Sequence, residues 1–154
     1  MGLDNGVEFW YTDSVREKGI YYMIRNSISN NPAEIYAEAH SAGMSAGNKC
    51  KPTPMIVGTP TTPLGNDIDY EKETWYVGDG VCGFAWVNIK PARGKFVTWM
   101  KKNNVGRKDN YYGGWTVWVS GFGQSMARKE DYARAFSKVL NDYGITAYSM
   151  SRMD

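Results

Sequence analysis

The chain has 154 residues, 42% hydrophobic and 14% aromatic, with 18 Lys+Arg against 16 Asp+Glu. It suits one compact domain with a core and is too sticky and too weakly charged for disorder. No apolar run reaches the ~20 residues of a membrane helix, and Met1-Gly2-Leu3-Asp4-Asn5-Gly6 lacks the basic and apolar regions of a signal peptide, so the chain is expected inside the cell and off the membrane.

In chain order, Val7–Tyr11 and Gly19–Arg25 read as strands of a hairpin about Thr12-Asp13-Ser14. Asn30-Asn31-Pro32-Ala33-Glu34 opens a helix from Pro32 to about Gly43, with Ile35, Ala39 and Ala42 on its buried stripe. Residues 48–73 hold Pro52, Pro54, Pro60 and Pro63 and form an irregular connection in which only Met55–Thr59 reads as a strand. Its second part, Thr61 to Glu73, carries Asp67, Asp69, Glu71 and Glu73 and reads as an exposed, lid-like acidic loop whose spacing departs from a Ca²⁺ loop.

Thr74–Val77 is a short strand, Gly78-Asp79-Gly80 a turn, and Val81–Lys90 a long strand. The alternating sets Val81, Gly83, Ala85, Val87, Ile89 and Cys82, Phe84, Trp86, Asn88 are both largely apolar, which predicts a central strand covered on both sides. Beyond Pro91, Phe96, Trp99 and Met100 mark a short helix ending at Asn103-Asn104. Trp115–Ser120 is a strand, and Tyr132, Phe136, Val139, Leu140 and Tyr143 form the stripe of a helix capped by Ser125 and stopped at Gly144. Thr146–Ser151 closes as a strand. The fold expected is α+β: a single domain, residues 1–154, with a mixed sheet whose β-α-β-α-β C-terminal half is packed by two to three helices.

The charge is uneven along the chain. Residues 1–80 carry 6 bases against 11 acids, a net of −5, whereas residues 81–154 carry 12 against 5, a net of +7. Between Lys90 and Lys108 stand seven bases and no acid, and Trp99, Tyr111, Tyr112, Trp115 and Trp118 lie in or just beyond that stretch. Cations interleaved with rings suit phosphates and bases, so Lys101, Lys102, Arg107 and Lys108 form the expected anion patch. The alternative is a solvated basic face over core tryptophans, with the polarity driving association.

Gly121-Phe122-Gly123-Gln124-Ser125 follows a strand and opens a helix, so Gly121, Gly123, Gln124 and Ser125 are expected to cradle an anion, with Arg128 and Lys129 adding charge and Tyr111, Tyr112 or Trp115 stacking. The loop lacks the third glycine of a dinucleotide fingerprint and the Gly-Lys-Ser/Thr of a phosphate loop. A tight strand-to-helix turn also needs glycines, so a purely structural role stands beside the ligand one. Cys50 and Cys82 form no disulfide framework, His40 cannot build a His-rich metal site alone, and no Gly-x-Ser-x-Gly elbow occurs. No metal, no cofactor and no catalytic residue is expected, and an enzyme is the least favoured class.

Cys82-Gly83-Phe84-Ala85-Trp86-Val87, Lys90-Pro91, Tyr112-Gly113-Gly114, Gly121-x-Gly-Gln-Ser125 and the closing segment from Gly144-Ile145 through Tyr148 to Arg152 and Asp154 resemble a group of small uncharacterised proteins of tailed bacteriophages. The resemblance covers Val81–Asp154, about half the chain, and brings no activity with it. It implies a phage setting, the cytoplasm of the infected host cell, and the role of an accessory binder. The function expected is non-enzymatic binding of a nucleotide, signalling nucleotide or nucleic acid, acting against host defence. The alternative is an interaction or virion module that binds a host protein or forms a homo-oligomer.

Overall fold

The structure is a computed structural model in which residues 31–154 are described. The expected hairpin of Val7–Tyr11 and Gly19–Arg25 lies outside them. The elements are helix α1 (Pro32–Lys49), strands β1 (Met55–Gly58), β2 (Thr74–Val77) and β3 (Gly83–Ile89), helix α2 (Lys95–Lys102), strands β4 (Arg107–Lys108) and β5 (Trp115–Trp118), helix α3 (Met126–Asp142) and strand β6 (Ala147–Met153). The class is α+β. No described helix is long and apolar enough to cross a membrane.

The main sheet has the order β4-β5-β3-β6, and each of its pairings is antiparallel, which corrects the expectation of a mixed sheet. The reason lies in the middle strand. Strands β5 and β6, joined by α3, do run parallel to one another, as a helical crossover dictates, but β3 is inserted between them and pairs antiparallel with both. As expected, β3 is central and nearly buried along its length, but among the described residues a helix layer covers one face only, and the other borders an open cavity at Trp86.

Helix α3 lies on β3 and β6, and α1 packs along α3 and touches α2. Ala85, Val87 and Ile89 of β3, with Val117, Val119 and Ala147, join Phe136, Leu140, Val97 and Met100 in one core beneath the helices. Phe136 and Leu140 are fully buried, and each such side chain contributes about 1.5–3 kcal/mol relative to exposure. Alternation along the strands sends Phe84, Trp86, Asn88, Thr116 and Trp118 to the opposite face of the sheet.

Helix α1 starts where expected, with Asn31 accepting the Ala33 N–H at 3.0 Å and Pro32 in its first turn. It runs on to Lys49, past the expected stop at Gly43. Gly43 and Gly47 are buried helical positions that admit the rings of Tyr132 and Phe122, so Gly43 serves close approach of α1 to α3 and Gly47 seats the loop that precedes α3. Helix α3 does stop at a left-handed Gly144, with φ of 74°. The Gly144 N–H binds the Asn141 carbonyl and the Ile145 N–H binds that of Leu140, closing a Schellman turn.

The Pro-rich connection is more ordered than its composition suggests. Met55–Gly58 pairs antiparallel with Thr74–Val77, and a bridge between Pro60 and Ile68 prolongs the ribbon, so the acidic loop belongs to a two-stranded arm.

Candidate functional site

The face of the main sheet opposite α3, which bears no helix among the described residues, gathers rings and cations. Trp86 on β3 stands opposite Trp118 on β5, and their rings stack with centroids 4.8 Å apart and planes 24° apart. Phe84 meets Trp118 edge-on at 6.1 Å, and the Tyr112 ring lies 6.5 Å from that of Trp86. Arg107 of β4 places its guanidinium 5.4 Å from the Trp118 ring centre, and Arg152 of β6 sits 5.4 Å from that of Phe84. Each arginine is exposed, and neither forms an ion pair among the described residues.

These groups surround an open cavity of about 460 Å³, lined by Trp86, Trp118, Arg107, Arg152, Asp109, Tyr111 and Tyr112. Its size falls in the range of small-ligand sites. A cluster of aromatic rings with two guanidiniums beside them can stack a planar heterocycle and neutralise an adjoining phosphate.

Asp109 holds the tyrosine loop in place. One carboxylate oxygen accepts the backbone N–H groups of Tyr111 and Tyr112 at 2.9 and 2.8 Å. The other accepts the Thr116 hydroxyl at 3.0 Å and the Asn88 amide at 3.4 Å. The Tyr112 N–H foremost, then the Tyr111 N–H and the Thr116 and Asn88 side chains, hold this carboxyl below the usual range against an opposing effect of desolvation. Asn88 also donates to the Gly113 carbonyl at 2.8 Å, so the loop is tied to the central strand. Gly113 and Gly114, both with positive φ, let the chain return tightly into β5.

Of the expected site residues, Tyr111, Tyr112 and Arg107 line this cavity. The remaining ones lie elsewhere. Arg107 and Lys108 are successive residues of β4 and so point to opposite faces of the sheet. Trp115, opposite Lys108, packs against the helix-side core and donates to the Val105 carbonyl at 2.8 Å. Lys101 covers the Trp115 ring at 5.2 Å and donates to the Ala92 carbonyl, and Lys102 is exposed near the end of α2.

The Gly121–Lys129 segment keeps its polar groups for the fold. The Ser125 hydroxyl, fully buried, donates to the Asp79 carbonyl at 2.8 Å rather than capping α3. The Gln124 carbonyl accepts the Gly83 N–H, and Arg128 pairs with Asp79 at 3.5 Å. Lys129 is buried and donates to the Gly83 carbonyl at 2.9 Å. Gly121 and Gly123 are exposed, and Phe122 between them, at a left-handed φ of 66°, fills the space above Gly47. The cationic start of α3 is thus explained by internal acceptors.

Three site residues escaped the sequence reading: Trp86, Trp118 as Trp86's stacking partner, and Arg152. The signal available was the period-two set Phe84, Trp86, Asn88 and its counterpart Thr116, Trp118, read as one face. Other chemistry-bearing groups are engaged structurally. His40 Nδ1 lies 2.7 Å from the Tyr132 hydroxyl, and burial raises the Cys50 thiol, with Asp131 adding to the effect. Among the described residues no three His, Cys, Asp or Glu side chains gather in a metal-binding group. No family model, curated protein or solved structure matches the chain.

Proposed function

We propose that the protein is a non-enzymatic binder of single-stranded nucleic acid, taking unpaired bases on the face of its main sheet opposite α3. The observation that carries this reading is the stacked Trp86–Trp118 pair flanked by Arg107 and Arg152. A base enters the cavity beside Trp118 and Tyr112, while the arginines take the phosphates on either side. An open sheet surface favours a strand with splayed bases over a duplex, whose bases are already stacked on one another. The basic C-terminal half adds long-range attraction. In this reading the protein acts in the infected host cell, on nucleic acid of host or phage, as expected from the sequence resemblance alone.

The test is a fluorescence-anisotropy titration of labelled oligothymidine at low and moderate salt, with Trp118→Ala and Arg107→Glu beside the wild type. Binding that weakens as salt rises and is lost in both variants supports the proposal. Binding that is absent at low salt, or indifferent to both substitutions, removes it.

A further inference from the structure

The arm formed by β1 and β2 leaves large apolar side chains in solvent. Trp75 is 52% exposed and Tyr76 73%, with Ile56 and Val57 at 46% and 43%. Ile56 stands opposite Tyr76 and Val57 opposite Trp75, so the two pairs occupy opposite faces of the ribbon and neither face is covered. None of the other described helices and strands packs broadly against the arm. A two-stranded ribbon is marginal alone in water, and uncovered apolar surface on it marks a contact.

Charge says what kind of surface meets it. Residues 55–77 carry Asp67, Asp69, Glu71 and Glu73 against Lys72. Lys72 is paired with Asp69 at 3.2 Å, which leaves Asp67, Glu71 and Glu73 with no ion-pair partner among the described residues. Pairing of one arm with another would bring these carboxylates together. An arm of rings interleaved with anions instead offers the chemistry of a nucleic-acid strand, and its complement is a surface of rings bordered by cations. That surface is present on the same chain, in Trp118, Tyr112, Arg107 and Arg152.

We infer that the acidic arm of one copy docks on the aromatic and arginine-bordered sheet face of a second copy, with Trp75 or Tyr76 in the place of a base and Glu71 and Glu73 toward the arginines. The contact joins two different surfaces, so reciprocal exchange of arms gives a two-fold dimer and unreciprocated docking gives rings or chains. It rests on the proposed function in one respect, that nucleic acid uses the same face. Self-association and strand binding are therefore mutually exclusive, and each displaces the other.

The experiment is sedimentation velocity over a range of protein concentrations at about 0.05 M and about 0.5 M salt, where screening is weak and strong respectively. At low salt the mass is expected to rise with concentration above the 17.3 kDa of one chain, and at high salt to fall back to it. The double variants Glu71→Lys/Glu73→Lys and Arg107→Glu/Arg152→Glu are each expected to stay monomeric, and their mixture to associate again because the swapped charges match. An unchanged thermal melt certifies that these exposed substitutions leave the fold intact. A wild type that is monomeric throughout, or association that ignores both charge reversals, overturns the inference. The two readings separate through oligothymidine. Binding by a monomeric wild type sinks the docking alone, whereas charge-swap rescue without oligothymidine binding upholds the docking and sinks the ligand.

Discussion

Trp86 and Trp118 are direct cross-strand neighbours on β3 and β5, stacked at 4.8 Å on the sheet face opposite α3. Cross-strand aromatic pairs stabilise a sheet, but they are usually placed where a second layer covers them. Here the ring of Trp118 is only half-buried and borders an open cavity with two arginines that lack carboxylate partners among the described residues. Those two facts together are what the proposed stacking role of the pair rests on.

Removing the exposed member of the pair separates the roles. Trp118→Ala is expected to cost about 1–3 kcal/mol of strand binding, the usual value of one stacked base. Trp118→Phe keeps a ring and is expected to retain most of the affinity. The check is anisotropy with oligothymidine, beside a thermal melt that reports any loss of sheet stability.

Lys129 is expected to behave as a structural residue. Its amine donates to the Gly83 carbonyl from a buried position, so Lys129→Ala strips a buried acceptor of its donor at a cost of about 1–3 kcal/mol. The prediction is a lowered melting temperature with unaltered oligothymidine affinity at a temperature where the variant is folded. A fall in affinity without a fall in stability would return the Gly121–Lys129 loop to the binding site.

Gly43→Ala is expected to lower stability by driving the two helices apart. A Cβ there would stand 2.7 Å from the Tyr132 ring, on an aromatic that is itself held by Phe136 and His40. The expected loss is about 1–3 kcal/mol, as for other overpacked cores, and urea denaturation measures it. A neutral or stabilised Gly43→Ala would mean that α1 lies farther from α3.

The Asp109 carboxyl supplies a pH dependence of known sign. Its folded pKa lies below the ordinary 3.8, through hydrogen bonds that the carboxylate alone can accept in full. The stabilisation it gives is therefore complete above that ordinary value and is lost as the pH falls through the depressed folded pKa. NMR titration of the Tyr111 and Tyr112 amides should show them moving together in that acid window. Asp109→Ala should release the tyrosine loop at neutral pH and weaken strand binding.

The strands and helices of the C-terminal half were legible because their periods are clean: Phe136, Leu140 and Tyr143 at helical spacing, and Val81–Lys90 apolar on both alternating sets. Sheet direction was not, since a crossover such as β5-α3-β6 says which way two strands run and leaves open what is inserted between them. The site was only partly legible for a related reason. Arg107 and Lys108 are equal in a count of charge, yet alternation puts one on each face, and Arg152 reaches Phe84 only through the register of β6 on β3. The glycines of Gly121–Ser125 drew attention as a phosphate loop because a strand-to-helix turn and an anion cradle need the same backbone freedom. Side-chain partners distant in sequence, Asp79 for Ser125 and Gly83 for Lys129, engage two polar groups of the Gly121–Lys129 segment within the fold.

The most direct measurement is the set of tryptophan indole N–H resonances during titration with oligothymidine. Binding on the sheet face shifts or broadens Trp86 and Trp118 and leaves Trp99 and Trp115, which pack on the helix side, where they were. Indoles that all stay in place, or a change confined to Trp99 and Trp115, would contradict a stacking platform on this face.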